Sequence, residues 1–585
     1  MQPFLPEILK IASLMAEGQF ERALELAKAC LEGDPSNAEL CNLAGLCSNS
    51  MGNLELAEAF WSRALAMNPE ALEPCFNLGL LLLKRNADEE AERCFRQVLQ
   101  FSPENAAACA NLALLLERAG RAEEAEQFHY RAVSLAGESA EIRFNLANFL
   151  AAEEAVERAK SAFIDVIRIM PTHFGAWINL GNLLFETGFT QAAHTAYSAA
   201  VSHYPEETSA RVNLGNVLLH MDEPESAEKQ FSAALAIDPE LAEAHQGLAS
   251  AFHRQGDMER AAHHRKKGFG GNPVSHLPYR GRKEAVPLLV LASSLEGNVP
   301  WRFLIDPHLF RVTIVAVECF NQAELPENRL IFNAIGDADL CREGLEIAAN
   351  LVAKTDSPVI NPPEKVLKTG RIGTAERLSH LPGVVTPDIF LLSRGQELKQ
   401  FPVLLRSPGF HGGNYFVKAD DDEALQRALE TLPGDRLLAM NFLDSRSEDG
   451  LFRKFRVMSI NGNLYPIHLA VSGQWKVHYF SSDMAENEAH RREEEAFLSD
   501  FQSFLGRDAV SALGRIGDTL GLDYCGMDFG VGRDGSILLF EANATMALIL
   551  PGSERQWDYK RSAATNALEA ARKMFAGMID SSGRL

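Results

Sequence analysis

Three oxygen-bearing side chains near the end of the chain are spaced to work together: Asp528, Glu541 and Asn543. They lie in the stretch 522–544, LDYCGMDFGVGRDGSILLFEANA. A short apolar run ends in Asp528, and a Gly-Arg-Asp-Gly turn follows at 532–535. A second apolar run then delivers Glu541 and, two residues on, Asn543. Two such runs joined by such a turn read as a β-hairpin. The hairpin places Asp528 and the Glu541/Asn543 pair at neighbouring strand ends, and residues two apart on a strand share a face. Three hard oxygen ligands converging from paired strands suit Mg²⁺ carried by a nucleoside triphosphate.

Groups suited to phosphate lie upstream. In FPVLLRSPGFHGGNYFVKADDDEALQRAL (401–429) a strand ends in Arg406 and runs into a turn containing Gly409, His411, Gly412 and Gly413. A second strand, YFVK, and a helix opening after 420–422 follow. A glycine loop between two strands can fold backbone N–H groups over phosphates, because glycine admits positive φ and close approach. Further on, GLFRKFRVMSINGNLYPIHLAVS (450–472) reads as two strands joined by an Asn-Gly turn at Asn461 and Gly462. Strand alternation places Lys454 and Arg456 on one face, with Arg453 and Phe455 on the other. His468 and His478 flank WKVHYFSSDM (475–484). With Trp475 and Tyr479 they form either a substrate-recognition patch or ordinary structural histidines. The run ENEAHRREEE (486–495) reads as a solvated helix face.

These groups must be held by an α/β framework. PLLVLAS (287–293), RVTIVAVECF (311–320) and LIFNAIGD (330–337) read as buried strands, and ADLCREGLEIAANLVAKT (338–355) as an amphipathic helix. PVINPPE (358–364) is a short strand running into a turn, and KVLKTGRIGTAERLSHLPGVVTP (365–387) reads as one helix ending before a proline. Strands alternating with helices predict a mostly parallel sheet.

The first half is organised differently. Prolines stand at 35, 69, 103, 171, 205, 239 and 273, each a multiple of 34 from the last, with Gly137 filling the missed beat. A small residue recurs at Gly45, Gly79, Ala113, Ala147, Gly181, Gly215 and Ala249, usually after a leucine. Later in each unit comes an Ala-rich helix with an aromatic knob, as in AEAFWSRALAMNP and AERCFRQVLQFSP. The small residue lets two helices approach, the aromatic fills the gap and the proline ends the second helix. This pattern resembles the tetratricopeptide repeat, and about eight units cover 3–274. The resemblance implies an all-α superhelical solenoid whose first helices line a concave face.

Asn77, Asn111, Asn145, Asn179 and Asn213 occupy one position in five consecutive units. Each amide either caps or bonds within its own repeat, or donates to and accepts from an extended polypeptide. The ladder resembles that of peptide-gripping arrays, including the nucleocytoplasmic glycosyltransferase that modifies proteins with single sugars. Residues 1–274 carry 22 Lys and Arg against 38 Asp and Glu, which is −16 of the total −23. A neutral or basic polypeptide is therefore accommodated more easily than an acidic one.

Composition excludes several classes. A chain of 585 residues needs more than one core. Its net charge of −23 argues against a general nucleic-acid binder, and the absence of a long apolar run argues against a membrane span. Nine scattered cysteines with no C-x-x-C pair fit reduced thiols in a cytoplasm and make zinc improbable. The start, MQPFLPEILKIASLMAEG, lacks the features of a signal peptide.

The order of elements after a connector at 275–285 is similar to the ATP-grasp superfamily, in its glutathione-synthetase-like branch. The resemblance implies an α/β pre-ATP-grasp domain (286–385) and an α+β ATP-grasp domain (386–585) whose two subdomains clasp ATP. It assigns two Mg²⁺ ions to Asp528, Glu541 and Asn543. Phosphate contacts fall on Arg371 and Arg406, both standing where lysine is usual, and Arg456 sits near the transferred phosphoryl group with Lys454 beside it. The glycine turn (Gly409, His411, Gly412, Gly413) covers the phosphates. The adenine hinge falls on Met440, Asn441, Phe442 and Leu443, with Asp444 either a ribose ligand or a loop acid. The usual Pro-Gly after the Glu-x-Asn pair is replaced by Ala-Thr-Met, so the resemblance gives no acceptor. The implied activity is an ATP- and Mg²⁺-dependent carboxylate–amine or carboxylate–thiol ligase acting through an acyl phosphate, on a polypeptide recruited by the repeats. The alternatives are a small-molecule ligase or kinase whose repeats serve complex assembly, and a non-catalytic nucleotide-binding scaffold.

Overall fold

The computed structural model describes residues 5–153, 155–281, 284–295, 297–322, 324–408, 415–477, 482–548 and 555–580. The chain divides into two compact units, Met1–Leu183 and Leu184–Leu585. The helical repeats run through the first unit and continue into the second.

Sixteen helices, from α1 (Leu5–Ala16) to α16 (Met258–Gly270), follow one another at half-repeat spacing. Two first helices begin on asparagine caps: Asn37 accepts from the Leu40 N–H and Asn105 from the Ala108 N–H. Such a side chain satisfies one of the otherwise unpaired amides of the first turn. A second marker with the same period closes seven of the first helices among the described residues. Gly18, Gly52, Asn86, Gly120, Gly188, Asp222 and Gly256 all have positive φ. A left-handed residue ends a helix while returning its amides to the last carbonyls, and Gly, Asn and Asp tolerate that conformation best. The small positions behave as their spacing predicts. Within the first unit a Cβ on Gly45 would stand 2.4 Å from the Trp61 ring, and one on Gly79 would stand 3.0 Å from Phe95. In the second unit a Cβ on Gly215 would meet Phe231 at 2.6 Å.

Beyond the repeats the second unit contains three sheets. In the first, β1 (Val274–His276), β2 (Val286–Ala292), β3 (Phe310–Ala316), β4 (Leu330–Asn333) and β5 (Val359–Ile360) lie in the order β1-β3-β2-β4-β5. All neighbours are parallel except β1 with β3. β2 and β4 are apolar almost throughout and largely buried, as strands covered on both faces must be.

The second sheet is antiparallel, in the order β7 (Ile389–Ser393), β10 (Arg436–Asn441), β8 (Val403–Arg406), β9 (Phe416–Ala419). It packs on α20 (Asp422–Thr431), which starts where Asp421 accepts from the Ala424 N–H.

The third has the order β12 (Asn463–Ser472), β11 (Phe452–Ile460), β13 (Tyr524–Val531), β14 (Ile537–Asn543), β6 (Val384–Val385). Asn461 and Gly462 both have positive φ, as a tight two-residue hairpin turn requires. Phe455 and Phe529 stack at 5.4 Å between ring centres in the core beneath this sheet.

Two expectations need correction. The stretch 365–387 is not one helix. It breaks into α18 (Pro363–Val366), α19 (Arg371–Leu378) and the short strand β6. The break falls at Thr369, whose hydroxyl donates to the Val366 carbonyl, and at Gly370, where the chain turns to restart the helix. The run 486–495 is not wholly solvated either. Glu494, on α21 (Glu488–Ser499), is fully buried, and Lys560 at 3.0 Å and the Tyr559 hydroxyl at 2.6 Å reach its carboxylate. Residues from distant parts of the sequence supply those partners, so the local charge pattern gives no sign of them.

Candidate functional site

Strand pairing brings together the residues singled out from the sequence. Arg456 on β11 is the register partner of Asp528 on β13, and Asp528 in turn is opposite Glu541 on β14. The β11–β12 ladder is irregular between Arg456 and Val457, and the β13–β14 ladder between Asp528 and Phe529. Such bulges re-aim side chains at functional positions.

Asp528 is only 2% exposed. Arg456 grips it with two parallel bonds, Nε to Oδ1 at 2.6 Å and a terminal nitrogen to Oδ2 at 2.9 Å. Lys454 Nζ adds an ion pair at 2.7 Å. Burial alone would raise the Asp528 carboxyl, but the two cations overcome it and hold the group far below the usual carboxylate range. Burial likewise opposes the charge on Arg456, and Asp528 restores it and raises its pKa. Lys454 and Arg456 thus share a face, as alternation predicts. Arg453 points away to Glu493 and Asp449, and Phe455 enters the core.

Glu541 and Asn543 share a face and touch. Asn543 Nδ2 donates to Glu541 Oε1 at 2.9 Å, and Asn543 Oδ1 accepts from the Thr545 amide and hydroxyl. Arg371, the first residue of α19, reaches Glu541 Oε1 at 3.1 Å, while its own N–H donates to Asp339 Oδ2 at 3.0 Å. Arg406, ending β8, lies with its guanidinium 5.5 Å from the Phe416 ring centre. Burial pushes its pKa down to about 10, Arg371 pushes the same way, and Glu541, Asp337 and Asp339 oppose. The two arginines from separate elements therefore share one electrostatic field with the carboxylates.

Thr386 and Pro387, on the link between β6 and β7, and Ile389, which opens β7, line a cleft with Arg371, Leu539 and Glu541. Among the described residues no three His, Cys, Asp or Glu side chains converge on one point. The trio here offers two carboxylates and an amide.

Other predicted residues are placed as follows. Met440 is a buried strand residue on β10. The Asn441 N–H donates to the Asp388 carbonyl and the Phe442 N–H to the Pro402 carbonyl, both at 3.3 Å, so these two amides serve neighbouring chain. Leu443 is half-buried next to them. Asp444 is exposed and bound by Arg446, which holds its carboxyl low, as a loop acid would be. His468 is fully buried opposite Arg456, and burial, with Arg456 adding to it, drives its pKa well below the ordinary imidazole value. Gly409, His411, Gly412, Gly413, His478 and Tyr479 lie outside the described residues.

Sequence reasoning missed Asp337 and Asp339. The signal was the Asp-x-Asp in the loop that follows the buried strand β4, where Asp337 Oδ1 accepts from the Asp339 and Leu340 amides and Asp339 Oδ2 accepts from the Arg371 N–H.

In the array, Asn77, Asn111, Asn145 and Asn179 are half-buried within the first unit, and Asn213 is half-buried in the second. Three of the amides bond inside the array. Asn77 donates to Asn42 at 3.4 Å and Asn179 to Asn148 at 2.7 Å, each reaching the preceding repeat, while Asn111 donates to the Ala107 carbonyl of its own helix at 2.8 Å. Each primary amide has two donor hydrogens and an acceptor, so these bonds do not exhaust it.

Tetratricopeptide-repeat family profiles match residues 14–71, 76–140, 178–242 and 221–264. The helical part of the chain is therefore an array of tetratricopeptide repeats, an architecture that binds other proteins. No curated protein matches the chain. Among solved structures, the C-terminal part of a TPR repeat-containing protein from Cytophaga hutchinsonii is 13% identical. It covers 41% of this chain and 99% of its own, with a TM-score of 0.37. A tetratricopeptide repeat protein from Parabacteroides merdae is 20% identical over 42% of this chain and 98% of its own, at a TM-score of 0.33. MamA from Desulfovibrio magneticus is 25% identical over 28% of this chain and 93% of its own, at 0.27. Among the described residues no helix is long and apolar enough to cross a membrane.

Proposed function

We propose that the second half of the chain is an ATP- and Mg²⁺-dependent ligase of the ATP-grasp type, joining a carboxylate to an amine or thiol, and that the repeats recruit its polypeptide substrate. The observation that carries this reading is the meeting of Lys454, Arg456 and Asp528 with Glu541 and Asn543 on adjacent strands, joined by Arg371 from α19, with Arg406 in the same field.

The donor chemistry fits the group. Two carboxylates and an amide oxygen form a hard set suited to Mg²⁺, and four cations suit a polyphosphate. In the resting chain these groups neutralise one another. Nucleotide entry would exchange partners, with Arg371, Arg406, Lys454 and Arg456 turning to phosphate oxygens. Bound Mg²⁺, held by Asp528, Glu541 and Asn543, would offset charge on the phosphates.

Arg406 and Arg371 then orient the triphosphate, and Arg456 stabilises charge on the transferring group. A substrate carboxylate oxygen bonds to the γ-phosphorus as the bond to ADP breaks, giving an acyl phosphate. An amine or thiol then bonds to the acyl carbon, and inorganic phosphate leaves. The half-buried amides Asn77, Asn111, Asn145 and Asn179 of the first unit hold an extended polypeptide through its backbone, and Asn213 offers the same kind of contact in the second unit.

The test is phosphate release by the full-length protein with ATP and Mg²⁺, with and without a peptide fraction, followed by mass spectrometry of the peptides. Free phosphate with a mass increase matching a condensed acid or amine supports ligation. Phosphate retained on the peptide converts the reading to a kinase, and no turnover under any condition removes it.

A further inference from the structure

Trp475 follows β12 of the third sheet, yet its aromatic neighbours belong to the second. Its ring stands edge-on to Phe416, the first residue of β9, at 5.5 Å and 65°, and to Phe442, just after β10, at 6.2 Å and 85°. Edge-to-face pairs at such distances are favourable beyond simple burial. The next residue, Lys476, donates from Nζ to the Phe416 carbonyl at 3.4 Å. Phe442 in turn has Lys418 Nζ 4.8 Å from its ring centre and Phe452 of β11 at 6.4 Å. Aromatic contacts therefore bridge the two sheets from both sides of Phe442. Phe416 is also the ring over which Arg406 lies, and it is opposite Arg406 in the β8–β9 ladder.

The four-stranded sheet carries Arg406, and the third sheet carries Arg456, Asp528 and Glu541. A nucleotide held by both sets needs the sheets at a fixed separation. Electrostatics act on Arg406 in both directions, with Arg371 disfavouring its charge and Glu541, Asp337 and Asp339 favouring it, whereas the aromatic contacts join the two sheets directly. The aromatic wedge supplies it. We propose that Trp475 is a positioning residue that clasps the second sheet to the third and so sets Arg406 against the phosphates. Trp475 itself does not touch the reacting atoms. This role rests on the ligase reading above.

The experiment is MgATP affinity and steady-state turnover for the full chain, for Trp475→Ala and for Trp475→Phe, with a double-mutant cycle pairing Trp475→Ala with Phe416→Ala. Loss of two edge-to-face contacts corresponds to a weakening of MgATP binding by about tenfold. The expected result is that rise in Kd and KM for Trp475→Ala, substantial recovery in Trp475→Phe, and less than additive loss in the double variant. Trp475 is only half-buried, so the thermal transition of the variant stays close to that of the unsubstituted chain. A variant with weakened binding and a greatly lowered transition would mean general unfolding and would overturn the positioning role. So would wild-type binding in Trp475→Ala, or strictly additive losses. Failure of the unsubstituted chain to bind MgATP is a different outcome, which removes the ligase reading and the role with it.

Discussion

The repeat array and the sheet-bearing half solve the same problem, placing polar groups where they can act, in opposite ways. In the array, contacts between polar side chains reach about one repeat along the chain: Asn77 to Asn42 spans 35 positions, Asn179 to Asn148 spans 31, and Arg96 to Glu124 spans 28. In the sheet-bearing half, Arg456 meets Asp528 across 72 positions and Arg371 meets Glu541 across 170. A one-dimensional stack makes each position nearly independent of distant ones. A charge cluster on paired strands makes each member depend on all the others.

That contrast predicts a graded series of effects. The largest belongs to Asp528→Asn, which leaves the half-buried Arg456 and Lys454 without the buried anion they share. Breaking a buried pair on one side costs about 3–5 kcal/mol, so calorimetry should show a strong loss of stability in the sheet-bearing half with the array's unfolding unchanged. The same carboxylate gives a pH dependence. Its folded pKa is depressed, so its contribution is fully present above the unfolded value of about 4 and is lost as pH falls further, through the folded value. Asp528→Asn should flatten that acid limb in a pH series of unfolding curves.

Next is Gly45→Leu, whose side chain would enter the space of Trp61. Overpacking of this kind costs about 1–3 kcal/mol, and hydrogen exchange should place the loosening in the neighbouring repeats while leaving the sheets protected. Propagation into the sheets would break the comparison.

Smaller in stability is Glu541→Gln. The side chain is 29% exposed and its ion pair with Arg371 is accordingly worth at most about 1 kcal/mol. Turnover of ATP should nonetheless fall by orders of magnitude. Asn145→Ala should scarcely move stability, by about 0.5 kcal/mol or less, because the residue is half-buried on a helix surface. Fluorescence anisotropy with a bound polypeptide should show the affinity falling while ATP turnover without polypeptide is unchanged.

How much of this was legible follows from the same contrast. The period of 34, the small residue and its aromatic partner could be read directly, because neighbours in the array are also neighbours in sequence. The left-handed closing residues at Gly18, Gly52 and Asn86 keep the same period but change residue type from repeat to repeat, so they mark it less plainly than the prolines do. In the sheet-bearing half, β11, β13 and β14 announced themselves through alternation and turn chemistry, and with them Lys454, Arg456, Asp528 and Glu541. The strand β6, two residues long, and the interrupted helix at 365–387 carried no such pattern; tertiary pairing with β14 and the Asp339 contact define them. Glu494 shows the limit plainly: an acid in a charged run is buried because Lys560 and Tyr559 arrive from 65 or more residues away.

The most direct test of the central claim is ATP turnover by the purified full-length protein with Mg²⁺, measured beside Glu541→Gln. The account predicts phosphate release that disappears in Glu541→Gln while the variant's fold and thermal transition are retained. Equal turnover in the two proteins, or nucleotide binding with no carboxylate-dependent turnover in either, would contradict it.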